Sequence, residues 1–183
     1  MQSVYIKNCK FEEESRTTVC IDKDKTKKNP QYGDDVIVEK CSNICSLQGN
    51  LTVSLEPGKW GDYNMLDIGE IKIVNCTFPM NGFYLNGAKA TSFVMKDCTP
   101  NQEITATSFG DCEIDNVVIE NSVLSSVWVH GVSEIAGSGG IYSTGAKIQS
   151  MVLDNVGFSG GLQFNCEKGG YVGSLIIRNY TRS

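Results

Sequence analysis

Apolar and polar residues alternate in the stretch Ile71-Lys72-Ile73-Val74-Asn75-Cys76-Thr77-Phe78, and degraded copies of it stand at 4–11, 36–41, 93–98, 117–122, 151–158 and 175–180. Taking the Asn or its replacement as an anchor gives Asn8, Lys40, Asn75, Asp97, Asn121, Asn155 and Asn179, separated by 32, 35, 22, 24, 34 and 24 residues. Four residues before each anchor stand Val4, Val36, Ile71, Phe93, Val117, Met151 and Leu175, and two before stand Ile6, Val38, Ile73, Met95, Ile119, Leu153 and Ile177. All are apolar. One before the anchor the residue is charged in every repeat except at Val74. A period of two with one apolar face predicts a strand that buries one side.

A strand that returns every 22–24 residues, with no helical pattern between copies, predicts a solenoid. Each strand lies beside the same strand of the next coil, so equivalent residues stack about 4.8 Å apart. The anchors then form an asparagine ladder in which Lys40 and Asp97 are exceptions. Asn suits the turn that ends such a strand, because it tolerates left-handed backbone angles and its amide can bond its neighbours in the stack. Second strands of the coils are expected at 17–21, 51–55, 82–85, 104–107, 127–130 and 161–164.

The apolar-x-apolar-x-Asn-Cys/Val-x-Phe pattern resembles that of the right-handed parallel β-helix group, the pectin-lyase-like superfamily, over nearly all 183 residues. The resemblance implies an all-β fold: a single-stranded right-handed parallel β-helix solenoid of about seven partial coils, forming one domain over 1–183. It is specific for architecture and poor for activity, since the superfamily holds polysaccharide lyases, glycoside hydrolases, phage tailspikes and non-enzymatic adhesins.

Composition narrows the picture a little. Forty per cent hydrophobic residues, 20% charged, 19 Gly and 4 Pro describe a turn-rich globular chain, and a net charge of −5 argues against a nucleic-acid groove binder. No run reaches the length of a membrane-spanning helix, and no basic stretch leads into an apolar one at the N-terminus; the expected location is the cytoplasm or a virion. Of eight cysteines, Cys9, Cys41, Cys76 and Cys98 each follow an anchor directly. They read as buried reduced thiols in one column, with disulfides as the alternative. No Cys-x-x-Cys exists and Cys41 and Cys45 lack His partners, so neither a metal nor another cofactor is expected. The strands begin at Val4 and the last anchor is Asn179, which leaves no room for end caps; the expectation is a module of a longer protein, or ends that dock on a protein partner or another copy.

Candidate chemistry clusters in three places. The loop 56–64 carries Trp60, Asp62 and Tyr63, whose aromatic faces can stack on sugar rings while the acid bonds hydroxyls; Trp60 folding back over the flank is the alternative. At 127–130, alternation puts Trp128 and His130 on one face and Val127 and Val129 on the other, so the pair reads as a sugar platform, as a general base or as structural. Five residues before the anchors every position is polar, and Asp35 and Glu70 fall on adjacent coils. Their carboxyls could then lie about 5 Å apart, the separation retaining glycosidases use, with Asp34, Asp67, Asp111, Glu113 and Asp115 nearby. The same residue types also end turns by bonding backbone amides. Gly33-Asp34-Asp35 and His130-Gly131 resemble elements of polygalacturonase-like hydrolases, but they are 95 residues apart and no Arg-x-Lys follows.

The functional expectation is a carbohydrate-recognising module, part of a phage tailspike or another assembly that binds or processes polysaccharide. If it is enzymatic, it is a glycoside hydrolase or polysaccharide lyase using Asp35, Glu70 and His130. The alternative is a non-catalytic scaffold that binds a protein through its sheet face or open end.

Overall fold

The computed structural model describes residues 4–9, 18–21, 36–40, 46–49, 66–78, 83–86, 88–100, 106–110, 112–130, 145–158, 162–167 and 169–182. These hold β1 (Val4–Lys7), β2 (Thr18–Ile21), β3 (Val36–Glu39), β4 (Ser46–Gly49), β5 (Leu66–Val74), β6 (Thr77–Phe78), β7 (Phe83–Asn86), β8 (Ala88–Lys96) and β9 (Thr99–Pro100). The remainder hold β10 (Ala106–Gly110), β11 (Glu113–Glu120), β12 (Val123–Leu124), β13 (Ser126–His130), β14 (Lys147–Asp154), β15 (Gly157–Phe158), β16 (Phe164–Glu167), β17 (Tyr171–Arg178) and β18 (Thr181–Arg182). No helix occurs among the described residues.

The repeated strands pair in chain order. A seven-stranded sheet runs β1-β3-β5-β8-β11-β14-β17, and a six-stranded sheet runs β2-β4-β7-β10-β13-β16. Two smaller sheets, β12-β15-β18 and β6-β9, are made by the segments after the anchors. All pairings between described strands are parallel. The register of the large sheet is the one the repeat dictates: Val4, Val36, Ile71, Phe93, Val117, Met151 and Leu175 are successive partners. This is the parallel pairing that a β-solenoid requires.

The anchor column explains why each strand stops where it does. All seven anchors adopt left-handed backbone angles, from φ 49° at Asn121 to 56° at Asn8, and among the described residues no other non-glycine does so. Each of the first six anchor amides donates to the carbonyl that precedes the next anchor, as in Asn75 to Lys96 (3.0 Å) and Asn121 to Asp154 (3.1 Å). The Asn155 side-chain amide donates to Asn121 Oδ1 at 2.8 Å, so the ladder exists at that step. Lys40 holds φ 53° without the short side chain that makes such angles cheap. Lys40→Asn is therefore expected to stabilise the chain by about 1 kcal/mol, because the exposed contact of Lys40 with Glu39 (3.5 Å) contributes little. A rise in the midpoint of urea unfolding checks it.

The cysteines after the anchors have a structural task. Cys9, Cys76 and Cys98 point their thiols at the carbonyls two residues back, Lys7, Val74 and Lys96, at 3.5, 3.3 and 3.2 Å. In the next repeat the Ser122 hydroxyl does the same to Glu120 at 2.9 Å. A small side chain with one donor closes the left-handed turn, and serine serves as well as cysteine. The stacked Cys76 thiol and burial together push the Cys98 thiol well up, away from the reactive thiolate. Cys9, Cys76, Cys98, Cys112 and Cys166 are not in disulfides; Cys41 lies outside the described residues.

The two large sheets share one core. Phe93 of β8 meets Phe109 of β10 edge-to-face at 5.1 Å, and the Thr107 hydroxyl reaches Met95 Sδ at 4.0 Å. Ile71, Ile73, Val117, Ile119, Met151 and Leu153 are buried on one side, Leu85, Val127 and Val129 on the other.

Two expectations need correction. The long strands begin well before the apolar stretch, so the polar column Glu70, Ser92, Asn116, Ser150 and Ser174 lies in register inside the sheet, not in a preceding turn. Buried Ala90, Ile114 and Ile148 stand three residues before buried Phe93, Val117 and Met151, a step that breaks the alternation beside this column. The second strand of the second repeat is Ser46–Gly49, paired with β2 and β7. Residues 51–55 lie outside the described residues; of the strands expected at 104–107 and 161–164, the described parts fall in or beside Ala106–Gly110 and Phe164–Glu167.

Candidate functional site

On the outward face of the large sheet one column is mostly charged, and the column beside it runs Tyr5, Ile37, Lys72, Val94, Val118, Val152 and Ile176. One residue before the anchors, Lys7 pairs with Glu39 (2.9 Å), Lys96 with Glu120 (2.7 Å) and Arg178 with Asp154 (2.9 Å). Hydrogen bonds from Lys7 to Glu39 and from Asn179 to Asp154 hold those carboxyls below their usual range, and the bond to Glu120 raises Lys96. Further back, Glu113 sits between Lys89 (3.8 Å) and Lys147 (3.7 Å). Such exposed pairs neutralise one another in register and leave no charge surplus at the column.

Glu70 belongs to this face. It is half-buried, stands in register with Ser92 and makes an ion pair with Lys72, its neighbour on the same side of β5. Asp35 lies outside the described residues, as do Asp34 and Asp111. Beside the column of Glu70, Ser92 and Asn116, the Thr91 hydroxyl donates to the Gly69 carbonyl at 2.6 Å, and the Asn116 side-chain amide donates to the Thr91 carbonyl at 3.5 Å. Asp115 is exposed.

Trp128 and His130 lie on the outward face of the other large sheet. Val127 and Val129 are fully buried, so the alternation turns the two rings outward, where both are half-buried. The rings meet edge-to-face with centroids 6.5 Å apart. Trp128 Nε1 donates to the buried Ser126 Oγ at 2.8 Å, which fixes the plane of the indole. Trp128 stands in register between Ser108 and Asn165, and His130 between Gly110 and Glu167. Gly110 carries no side chain, so the imidazole borders bare backbone on that side. One strand further, β7 places Tyr84 and Asn86 at the same two register positions.

The structure keeps Glu70 and His130 in different sheets, on β5 and β13, and does not bring them together. Trp60, Asp62 and Tyr63 lie outside the described residues. Sequence reasoning found Trp128 and His130 by their alternation. It did not find Ser108, Gly110 or Asn165, because each is a common residue made relevant only by its neighbour on another strand. The repeat spacing of the second strands carried the missing signal. Comparison with protein-family models, with curated proteins and with solved structures gave no match for this chain.

Proposed function

We propose that the chain is a carbohydrate-recognising module, a right-handed parallel β-helix of about seven partial coils, whose sugar-binding face is the outward side of the six-stranded sheet at Trp128 and His130. The carrying observation is the contrast between the two outward faces. On the seven-stranded sheet, the charged residues beside the anchors pair with one another. On the six-stranded sheet, the described outward residues around Trp128 are Ser108, Gly110, His130 and Asn165. A held indole beside hydroxyl, amide and imidazole groups is the combination that stacks on a pyranose ring and bonds its hydroxyls. The resemblance to the pectin-lyase-like superfamily supports the same reading, and with it a place in an assembly that binds or processes polysaccharide, such as a phage tailspike. The separation of Glu70 from His130 favours binding over hydrolysis at this face.

A glycan array tests the reading, with a reducing-sugar assay on bacterial polysaccharides beside it. Retention of a polysaccharide is expected, with Trp128→Ala binding about tenfold more weakly, ~1.4 kcal/mol. A Lys96→Ala control on the charged face should bind as the parent does. No retained glycan, or equal binding by Trp128→Ala with its circular dichroism unchanged, sinks the idea.

A further inference from the structure

We infer that two copies of this chain pair face to face through the outward side of the seven-stranded sheet, strands pointing the same way and strand order reversed. Beside the anchors this side carries the column Lys7, Glu39, Val74, Lys96, Glu120, Asp154 and Arg178. Two residues back lies the aliphatic column, and Val94, Val118 and Val152 in it are half-exposed on three adjacent strands. Two residues further back stand Glu70, Ser92, Asn116 and Ser150. The three valines are interior to the sheet, so their exposure is not an effect of its edges. An aliphatic column of this kind, rimmed by polar ones, marks an interaction surface.

The order of charges selects the occupant. A two-fold axis along the strands, passing between β8 and β11, sets each column on itself in reverse. Lys96 then faces Glu120 of the second copy, and Glu39 faces Arg178 of the second copy, each contact occurring twice. No like charges meet. Moving the axis onto β8 would set Lys96 on Lys96, and onto β11 would set Glu120 on Glu120; such juxtapositions are costly. In the aliphatic column Val94 meets Val118, and Ile37 meets Ile176.

The strand β5 departs from both columns, and the same register answers the departure. It carries its cation, Lys72, in the aliphatic column and its valine, Val74, in the charged one. Opposite comes β14 with Val152 and Asp154, so Lys72 lies diagonal to the Asp154 carboxylate of the second copy. Glu70 faces the neutral Ser150. The same patch serves both copies, so the contact is isologous and closes at two. Six strands spaced about 4.8 Å and five residues of about 3.3 Å give each copy a patch of roughly 29 Å by 17 Å, about 500 Å². Two such patches reach about the 1,000 Å² that a specific interface needs, so the pair is a weak one. The inference does not rest on the sugar-binding reading: Trp128 and His130 belong to the other large sheet and are not covered by this contact.

Sedimentation velocity of the full chain from about 1 μM to about 1 mM tests this. The expected result is a mass that rises from one copy and levels at two. Val118→Lys, at a half-exposed position facing Val94 of the second copy, should raise the dissociation constant at least about tenfold. Glu39→Lys and Arg178→Glu, each alone, should raise it about three- to tenfold, and the two together should return it to within about twofold of the parent. Within one copy these residues stand five strands apart, roughly 24 Å, too far to couple there. Recovery in the double variant therefore reads a contact between copies. Circular dichroism confirms that every variant folds. One copy at every concentration, which would leave the face to a different protein, overturns the proposal. So does a mass that grows past two copies, a Val118→Lys variant that pairs as the parent does, or a double variant no better than the single ones.

Discussion

Phe93→Ala is expected to destabilise the chain by about 3–5 kcal/mol, at the upper end for a buried aromatic. The side chain is fully buried in the middle of the stack, between Ile71 and Val117 in the same column. Its ring also meets Phe109 from the opposite sheet at 5.1 Å, a contact that ties the two sheets across the core. Removing it leaves a void that neither neighbour can fill, because each is held by its own ladder of backbone bonds. Leu175→Ala makes the comparison. It lies in the same column at the last strand, where 39% of the residue already meets water, and its loss should cost about 1 kcal/mol or less. Guanidinium unfolding of the two variants beside the parent measures the difference. Equal costs would mean that the column is not one continuous core.

The seven-stranded sheet was legible because two signals coincide at each repeat and a third joins them in the first five, Val156 and Tyr180 standing in its place in the last two. The strand face alternates, the residue after it must turn left-handed, and a small donor follows to close the turn. Asn75-Cys76 states all of this in two residues, and Asn121-Ser122 says the same with a different donor. Lys40 shows that the position, not the residue type, is what the fold fixes. The six-stranded sheet was harder to read. Its strands are four or five residues long, and Ser46–Gly49 holds one large apolar residue, so its place comes from pairing with its neighbours and not from its own propensity. The polar column within the long strands reads as a turn in the sequence because, in one dimension, it looks like the end of a strand.

The candidate site divides along the same line. Trp128 and His130 could be placed on one face from four residues of alternation, Val127 to His130, since a strand's period decides orientation without help from elsewhere. The carboxylate pair rested on Asp35 and Glu70 standing five residues before the anchors of adjacent repeats; β3 and β5 are neighbours in the sheet, while Asp35 lies outside the described residues. Glu70 lies on the charged sheet and His130 on the other.

A second left-handed column went unread, and it carries the other large expected effect. Gly145 and Gly169 stand ten residues before Asn155 and Asn179, at φ 75° and 83°. They turn the chain into β14 and β17 and lie one over the other. Gly145→Ala is expected to cost about 2–5 kcal/mol, from the left-handed angle and from overpacking together. A methyl there would stand 2.5 Å from the Gly169 carbonyl carbon and 3.1 Å from the Gly170 nitrogen, backbone atoms that cannot swing aside. Relief would require parting the two strands at Tyr171, whose amide donates to the Ala146 carbonyl at 2.8 Å. The adjoining Ala146 amide donates to the His130 carbonyl at 3.2 Å, so the strain reaches the end of β13 and the proposed sugar face. Gly145→Asn separates the two causes. Asn tolerates the left-handed angle but carries the same Cβ. If crowding dominates, thermal unfolding of the Asn variant should fall nearly as far as that of the Ala variant, with weakened glycan retention in both; recovery by Asn would show that the backbone angle alone was at fault.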